Sequence, residues 1–420
     1  MHAVLETGFV PIGAIDSEIT NEDPILRELE LNEISGQCKT VVNDLETIET
    51  ACETLEELSD LSDILSKNNA IGSDAASLAA ISTESICRRL GYVSEKPIMP
   101  SMESFSYSNS RKQATEYTLE SFGDVAKDVI EAIKTFFKKL VDGIMKVFGM
   151  IKNFILGILR KMGLLKSQVK QIYDDKKTDV ESDRQVDFNA FCVTFNVEKA
   201  SQLNDKVTSV LHDSLNVSDA LKRIHDTMST FYNVALAAKD VQGLINETTG
   251  ESLDHKIFKL KVVEDNKDYA TLGDFIHGKQ IRVYKNEYKV EVVDGEKVTV
   301  SDSTMKVGKD LELLKLLGTA EKLAEAVEAN VKRSEKNKDG FKDLTETVLK
   351  VAGKIATKAR STQENKEAAK VFRTVAQTTV NVTSSLLQLV TENLTESLKY
   401  IEFCKRELIA NAKENEAKTT

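Results

Sequence analysis

The chain has no tryptophan, only four prolines, and five cysteines in 420 residues. Few prolines leave few breaks in helices, and 41% hydrophobic with 29% charged residues is typical of a globular, mainly helical protein. The cysteines at 38, 52, 87, 192 and 404 form no Cys-x-x-Cys pair, which argues against a disulfide framework and against a zinc site. The N-terminal residues lack a basic segment followed by an apolar run, so a secretory signal is not expected.

Signatures of catalysis are also missing. The sequence contains no phosphate-binding Gly-x-x-x-x-Gly-Lys-Ser/Thr loop, no dinucleotide-binding glycine motif, no Gly-x-Ser-x-Gly elbow and no His-Glu-x-x-His helix. The five histidines are not spaced as ligands on one helical turn. We therefore predict a protein that is not an enzyme, with no catalytic residues, no cofactor, no metal site and no small-molecule substrate.

Charge is distributed unevenly along the chain. Residues 1–100 hold 19 Asp and Glu against 6 Lys and Arg, whereas residues 122–170 hold 10 Lys and Arg against 4 Asp and Glu. Because the whole chain carries −11 and residues 1–100 contribute −13, the remainder is close to +2. An inversion of this kind indicates regions with different partners.

Apolar spacing predicts the segments. Residues 1–94 form an acidic helical arm, with helices over 21–66 and 73–90 and a near-heptad apolar stripe that needs a covering partner. Residues 95–121 are rich in serine, with Pro97 and Pro100, and predict an accessible linker. Residues 122–173 predict one basic amphipathic helix, in which apolar residues recur every three or four positions for over 40 residues.

That helix carries a candidate basic face, formed by Lys127, Lys134, Lys138, Lys139, Lys146, Lys152, Arg160 and Lys161. Its apolar side is compatible with a core helix or with an interfacial helix lying on a membrane surface, and its charge also suits nonspecific contact with nucleic acid. Lys146 and Lys152 interrupt the most apolar stretch, 144–159, well short of the ~20 residues of a spanning helix. A transmembrane segment is therefore not expected.

Residues 174–302 predict an α+β region. Phe188 to Val197 approach strand alternation, and Asp294-Gly295 between two alternating runs predicts a β-hairpin near 287–301. Residues 303–420 predict a C-terminal helical region with breaks at glycines. The expected fold class is mainly α with a small antiparallel β insertion and long amphipathic helices.

The linker contains two similar tetrads, Met102-Glu103-Ser104-Phe105 and Leu119-Glu120-Ser121-Phe122. Together with the run Ser82 to Gly91, with Ser110-Arg111 and with the lysine-rich helix that follows, they resemble internal head (inner-body) virion proteins of giant tailed bacteriophages. The resemblance covers roughly residues 20–165.

The resemblance implies an N-terminal propeptide that a phage prohead protease removes by cutting after Glu in a small-x-Glu setting. Ser101-Met102-Glu103 before Ser104 fits this pattern, and Leu119-Glu120 before Ser121 fits it less well, because Thr118 replaces the usual serine or alanine. It also implies synthesis in the host cytoplasm, a location inside the capsid, and contact with other head or scaffold proteins and with packaged DNA. The alternative from the residues alone is a membrane-binding or membrane-remodelling protein acting through residues 122–166.

Overall fold

The computed structural model describes residues 24–68, 70–89, 99–174, 185–237, 253–285, 289–306, 312–356 and 385–419, together with residues 366, 369, 373, 376, 377 and 380. The sequence also predicts that Gly91 ends the helix over 73–90 and that the highly charged residues 174–184 form a loop or linker; Gly91 and residues 175–184 lie outside the described residues. Within them, the prediction of a mainly helical chain with a small antiparallel β insertion is confirmed.

Long helices dominate the described residues. The α-helices of these residues are α1 (Pro24–Ser66), α2 (Ser73–Arg89), α3 (Glu103–Ser106), α4 (Ser108–Asp174), α5 (Asn189–Phe195), α6 (Leu203–Ala237), α7 (Leu313–Ala356) and α8 (Leu386–Thr419), of which α3 and α5 are short. The basic helix α4 therefore begins 14 residues before the predicted start at 122. α7 passes without interruption through Gly318, Gly340 and Gly353, which were expected breaks.

Six short strands form two antiparallel sheets in the described residues. They are β1 (Gln185–Asp187), β2 (Val262–Asp265), β3 (Tyr269–Leu272), β4 (Lys279–Tyr284), β5 (Val290–Asp294) and β6 (Thr304–Lys306). β2, β3, β4 and β5 pair in chain order, and β1 pairs with β6. The second pairing joins the two ends of the α+β region.

The predicted hairpin over 287–301 is wrong. β5 pairs with β4, with Ile281 opposite Val292, and residues 296–301 do not form a strand. Instead Asn196 holds this segment, because its Nδ2 donates to the Glu296 carbonyl over 2.9 Å and its Oδ1 accepts from the Val298 N–H over 2.8 Å. Gly295 lacks the positive φ that an Asp-Gly type I′ turn requires.

The strand expected over 188–197 is a helix, α5. Phe188, Phe191 and Phe195 follow a three-and-four spacing and contact aromatic residues of α8, with Tyr400 touching all three rings at centroid distances of 5.5 to 6.2 Å. An aromatic cluster from a distant helix therefore determines the conformation of this segment.

One large core cluster runs through most of the protein. α4 packs against α1 and against α7, α7 also packs against α6, and α8 contacts both α6 and α7. The arm, the basic helix, the α+β region and the C-terminal helices all contribute buried residues to this cluster. A second, smaller cluster joins the arm to the start of α4 and includes Phe105 and Phe122.

Candidate functional site: the processing junction and the face covered by the arm

The first candidate cleavage sequence lies where the chain enters α3. Ser101, Met102 and Glu103 are exposed, and the side chain of Met102 keeps 37% of its accessible surface. The Ser104 N–H donates to the Ser101 carbonyl over 2.9 Å, so the Glu103–Ser104 bond lies in a single helical turn. A turn of four residues opens at low cost compared with the interior of a long helix.

The residues after this bond are anchored to α4. Phe105 is fully buried in the small cluster, and Ser110 Oγ donates to the Ser104 carbonyl over 2.7 Å. Arg111 donates to the carbonyls of Phe105 and Ser106 over 2.7 and 3.2 Å. These bonds satisfy carbonyl groups that the end of a short helix leaves without partners. The junction therefore combines an exposed upstream side with a fixed downstream side.

The second candidate cleavage sequence lies inside a helix, whereas the sequence predicted that it belongs to the linker. Leu119, Glu120 and Ser121 belong to the interior of α4 and not to a linker. Thr118 directly before them is fully buried, and its hydroxyl donates to the Ala114 carbonyl over 2.8 Å. A protease could reach this bond only after two or more turns of α4 had unwound.

Three other small-x-Glu matches, in the arm and the first turns of α4, are protected in the same way. Their middle residues are Thr83, Thr115 and Cys52, which are 1%, 2% and 0% exposed, and all three lie within helices. The match at Ala51-Cys52-Glu53 was missed in the sequence, although the same pattern could have found it. Two further matches lie in the C-terminal helices. Val327 of Ala326-Val327-Glu328 is fully buried in α7, and Lys413 of Ala412-Lys413-Glu414 is exposed but lies inside α8. Ser101-Met102-Glu103 combines an exposed middle residue with a helix of a single turn.

The predicted basic face is largely neutralised by the protein's own carboxylates. Within α4, Lys127 pairs with Asp124 over 2.8 Å, and Lys134 lies 3.9 Å from Glu131. Lys139 reaches Asp44 of the arm over 2.7 Å. These contacts use charge to hold helices in place, and most of the face is not left open to a polyanion.

The C-terminal part of the face contacts the body of the protein. Lys152 pairs with Glu335 of α7 over 3.2 Å, and burial lowers the pKa of Lys161, which faces Glu402 of α8. Lys138, Lys146 and Arg160 form no ion pair with any residue that the structure describes. Of the eight basic residues of the face, five therefore have an acidic neighbour, and three have none among the described residues.

The arm covers the apolar side of the basic helix. Val41 of α1 approaches Gly143 of α4 so closely that a Cβ on Gly143 would lie 3.1 Å from Val41 Cγ2. The apolar residues of α4 predicted to form its stripe are buried in the shared core, with Phe136 partly buried. The face that an interfacial membrane helix would insert into lipid is occupied by α1 and α7, so the membrane alternative has no support in this structure.

Buried nucleophiles in the described residues are not activated. Burial raises the pKa of the Cys38, Cys52 and Cys404 thiols to about 12, which keeps them protonated. Burial lowers the pKa of His225 to about 4, and its Nε2 lies 2.9 Å from Ser334 Oγ in the contact between α6 and α7. No group of three or more His, Cys, Asp and Glu side chains in the described ranges is arranged to hold a metal.

The family model for phiKZ-like phage internal head proteins matches residues 28–402. The chain belongs to that family. No curated protein and no solved structure matched the chain. The match extends well beyond the 20–165 region where the sequence resemblance was evident, so the α+β region and most of the C-terminal helices are also part of an internal head protein.

Membership places the protein in the interior of the virion, as a structural component that associates with other parts of the head. None of the helices in the described ranges is long and apolar enough to cross a membrane.

Proposed function

We propose that this protein is a non-enzymatic internal head protein made as a precursor, and that a phage prohead protease cuts it between Glu103 and Ser104. The arm, residues 1–103, accompanies the body into the assembling head. The cut separates the acidic part of the chain, with a charge of −14 including Glu103, from a body whose charge is +3. The direct partners are the protease and neighbouring head or scaffold proteins.

One observation supports Glu103 above the other candidates. Met102 is 37% exposed, whereas the middle residues Thr83, Thr115 and Cys52 are at most 2% exposed, and Ala412-Lys413-Glu414 lies inside the long helix α8. Glu103 also belongs to a helix of four residues, whereas Glu120 lies in a helix of 67 residues. A protease acts on backbone that can leave its helix, and that cost is far smaller at a single turn.

Packaged DNA is a nonspecific partner in this proposal. Lys138, Lys146 and Arg160 are partly or fully exposed, and within the described residues no carboxylate pairs with them. A few such cations give weak, salt-dependent attraction to phosphate without sequence preference. The ion pairs of the remaining basic residues keep this attraction small.

Mass spectrometry of purified virions tests the proposal. We expect a semi-tryptic peptide whose N-terminus is Ser104 and which is absent from the uncut precursor. A phage carrying Glu103→Gln should package the protein but lose this peptide, because a glutamine lacks the charge that the protease recognises. Glu120→Gln is the matched control and should leave the peptide unchanged. Protein that is intact across residues 103–104 in wild-type virions, or a new N-terminus at Ser121, would contradict the proposed site.

A further inference from the structure

The contacts of α1 raise a question about what the cut at Glu103 achieves. Nine apolar residues of α1 are 6% exposed or less and belong to the main core cluster. They are Ile34, Cys38, Val41, Leu45, Ile48, Ala51, Cys52, Leu55 and Leu58. Their spacing of three and four residues places them on one stripe that faces the body. This stripe is continuous with the core and does not depend on the peptide bond after Glu103.

Polar contacts also join α1 to residues 366, 373 and 377. Lys366 pairs with Asp60, Arg373 Nη2 lies 3.4 Å from Glu56, and Gln377 Nε2 donates to Glu49 over 2.7 Å. As the first members of these pairs rise from 366 to 377, the second members fall from 60 to 49. The described residues 366, 373 and 377 therefore lie along α1 in the antiparallel direction. Ala369, Ala376 and Val380 are fully buried beside these contacts.

On the other flank, the arm is held by α4. Lys139 pairs with Asp44, whose side chain is only 11% exposed, and the Ile71 N–H donates to Thr115 Oγ1 over 3.2 Å. Around Phe105, the small cluster combines arm residues such as Leu65 and Ile71 with Ala114 and Phe122 of α4. The described residues of the arm therefore contact the body through α1, through Ile71 and through the small cluster around Phe105.

We propose that the arm stays bound to the body after the chain is cut, as an acidic helical ligand in the groove between α4 and the described residues 366, 369, 373, 376, 377 and 380. The cut breaks one exposed peptide bond and removes none of the buried contacts. An interface that is continuous with a hydrophobic core resembles that of an obligate complex, which persists without a covalent link. Release of the arm is then a second event, separate from proteolysis.

The charges at the edges of the groove complement those of α1, which we propose as its occupant. The groove presents an apolar floor with Lys139, Lys366 and Arg373 at its edges, and α1 presents an apolar stripe with Asp44, Asp60 and Glu56 beside it. Removal of α1 would expose the floor, and an apolar surface of this extent needs a cover. This proposal rests on the proposed cut after Glu103, because that cut would make the arm a separate chain.

An engineered cut tests the interface without the phage enzyme. A recognition sequence for a site-specific protease is inserted after Glu103 in the full chain, and the purified protein is digested and analysed by size-exclusion chromatography and native mass spectrometry. We expect arm and body to elute together at the volume of the uncut chain, in equal amounts, and to separate only in denaturant. Elution of the arm as a separate species in native buffer would overturn the proposal.

Two further measurements make the result specific. Labelling with iodoacetamide, followed by peptide mapping, should leave Cys38 and Cys52 as protected as the body residue Cys192 before and after the cut, because all three are buried. Labelling of Cys38 and Cys52 alone after the cut would show that the arm has left.

Gly143→Leu, which fills the close approach to Val41, should release the arm from the cut protein, whereas Gly163→Leu, with open space around it, should not.

The two proposals can fail separately. Separation of the engineered fragments leaves the site of cleavage in virions unaffected, because that site is read from the N-terminus of the virion peptide. Absence of the Ser104 N-terminus from virions likewise leaves the measured stability of the arm–body interface unchanged.

Discussion

Two helix contacts in this protein are held in different ways. Between α6 and α7, buried neutral groups pair: Asn330 Nδ2 donates to the carbonyl and to the hydroxyl of Ser218 over 2.9 and 2.8 Å, and His225 meets Ser334. Between α1 and its neighbours, an apolar stripe is flanked by ion pairs at the surface. Buried hydrogen bonds specify a fixed arrangement, whereas surface ion pairs weaken in salt.

The difference suggests a division of tasks within the precursor. The contact between α6 and α7 joins two helices of the body, so the proposed cut leaves both helices in the same chain. The contact of the arm combines strong apolar burial with electrostatic edges, so its strength responds to the ionic conditions around it. The dense negative charge of packaged DNA and its counterions would change those conditions inside a head.

The largest expected effect comes from shortening a buried side chain in the stripe of α1. Leu55 is fully buried, so Leu55→Ala should reduce the free energy of unfolding by about 2–5 kcal/mol through lost burial and a cavity. Leu29→Ala, at a position that is 57% exposed, is the matched control and should change it by less than about 0.5 kcal/mol. Urea unfolding of the full chain measures both. Equal midpoints for Leu55→Ala and the unaltered protein would show that α1 is not part of the cooperative core.

The contact between α6 and α7 should be sensitive to pH through His225. Because burial lowers its pKa to about 4, the unfolded chain binds this proton more readily than the folded protein. Stability should therefore fall as the pH drops from about 6.5 towards 4, by roughly 3 kcal/mol, and be unaffected by this group above that window. Thermal unfolding across this range measures the slope.

A matched pair of variants assigns that slope. His225→Gln removes the titrating group and should flatten the dependence between pH 6.5 and 4, while His212→Gln, at an exposed position of the same helix, should retain it. An unchanged slope in His225→Gln would place the sensitivity in another group. Asp213 is not that group, because burial raises the pKa of its carboxyl and its protonation therefore favours the folded protein as the pH falls.

The long helices were predictable because their evidence is local. The stripe of α4 from Phe122 to Met162 repeats at helical spacing for 40 residues, and such a pattern has few other interpretations. The linker before it was harder to delimit, since its serines and threonines also occur in helices. Thr115 and Thr118 donate to carbonyls four residues back, which lets polar residues continue α4 back to Ser108.

Errors in the α+β region have a common physical origin. The Asp294-Gly295 pair predicted a hairpin from neighbouring residues, but Asn196, about a hundred positions away, binds the segment after it. Phe188, Phe191 and Phe195 were taken for alternating strand residues, yet their three-and-four spacing is helical, and Tyr400 and Phe403 provide their contacts. Tertiary partners override short local patterns.

Of the candidate site, the sequence supplies the short motifs but not their environment. Ser101-Met102-Glu103 and Thr118-Leu119-Glu120 differ as motifs only in threonine against serine, and the structure adds the burial of Thr118 and the length of the helix around each motif. The residues of the basic face were predicted from the sequence, but two of its partners were not, because Lys139 pairs with α1 and Lys152 with α7 at sequence separations of 95 and 183 residues. Pairing across such distances leaves no signal in local charge patterns.

The smallest expected effect distinguishes the two kinds of contact most directly. Lys139→Ala removes the partner of Asp44 at the edge of the arm, and since Lys139 is 67% exposed, the loss in stability should be only about 0.5 kcal/mol at low salt. This difference should vanish near 1 M salt, where the screening length is about 3 Å. Lys138→Ala, one residue away and without an ion pair to any described residue, is the control. A loss that persists at high salt would mean that Lys139 stabilises the arm by packing its aliphatic chain, and the arm would then lose its electrostatic sensitivity at this edge.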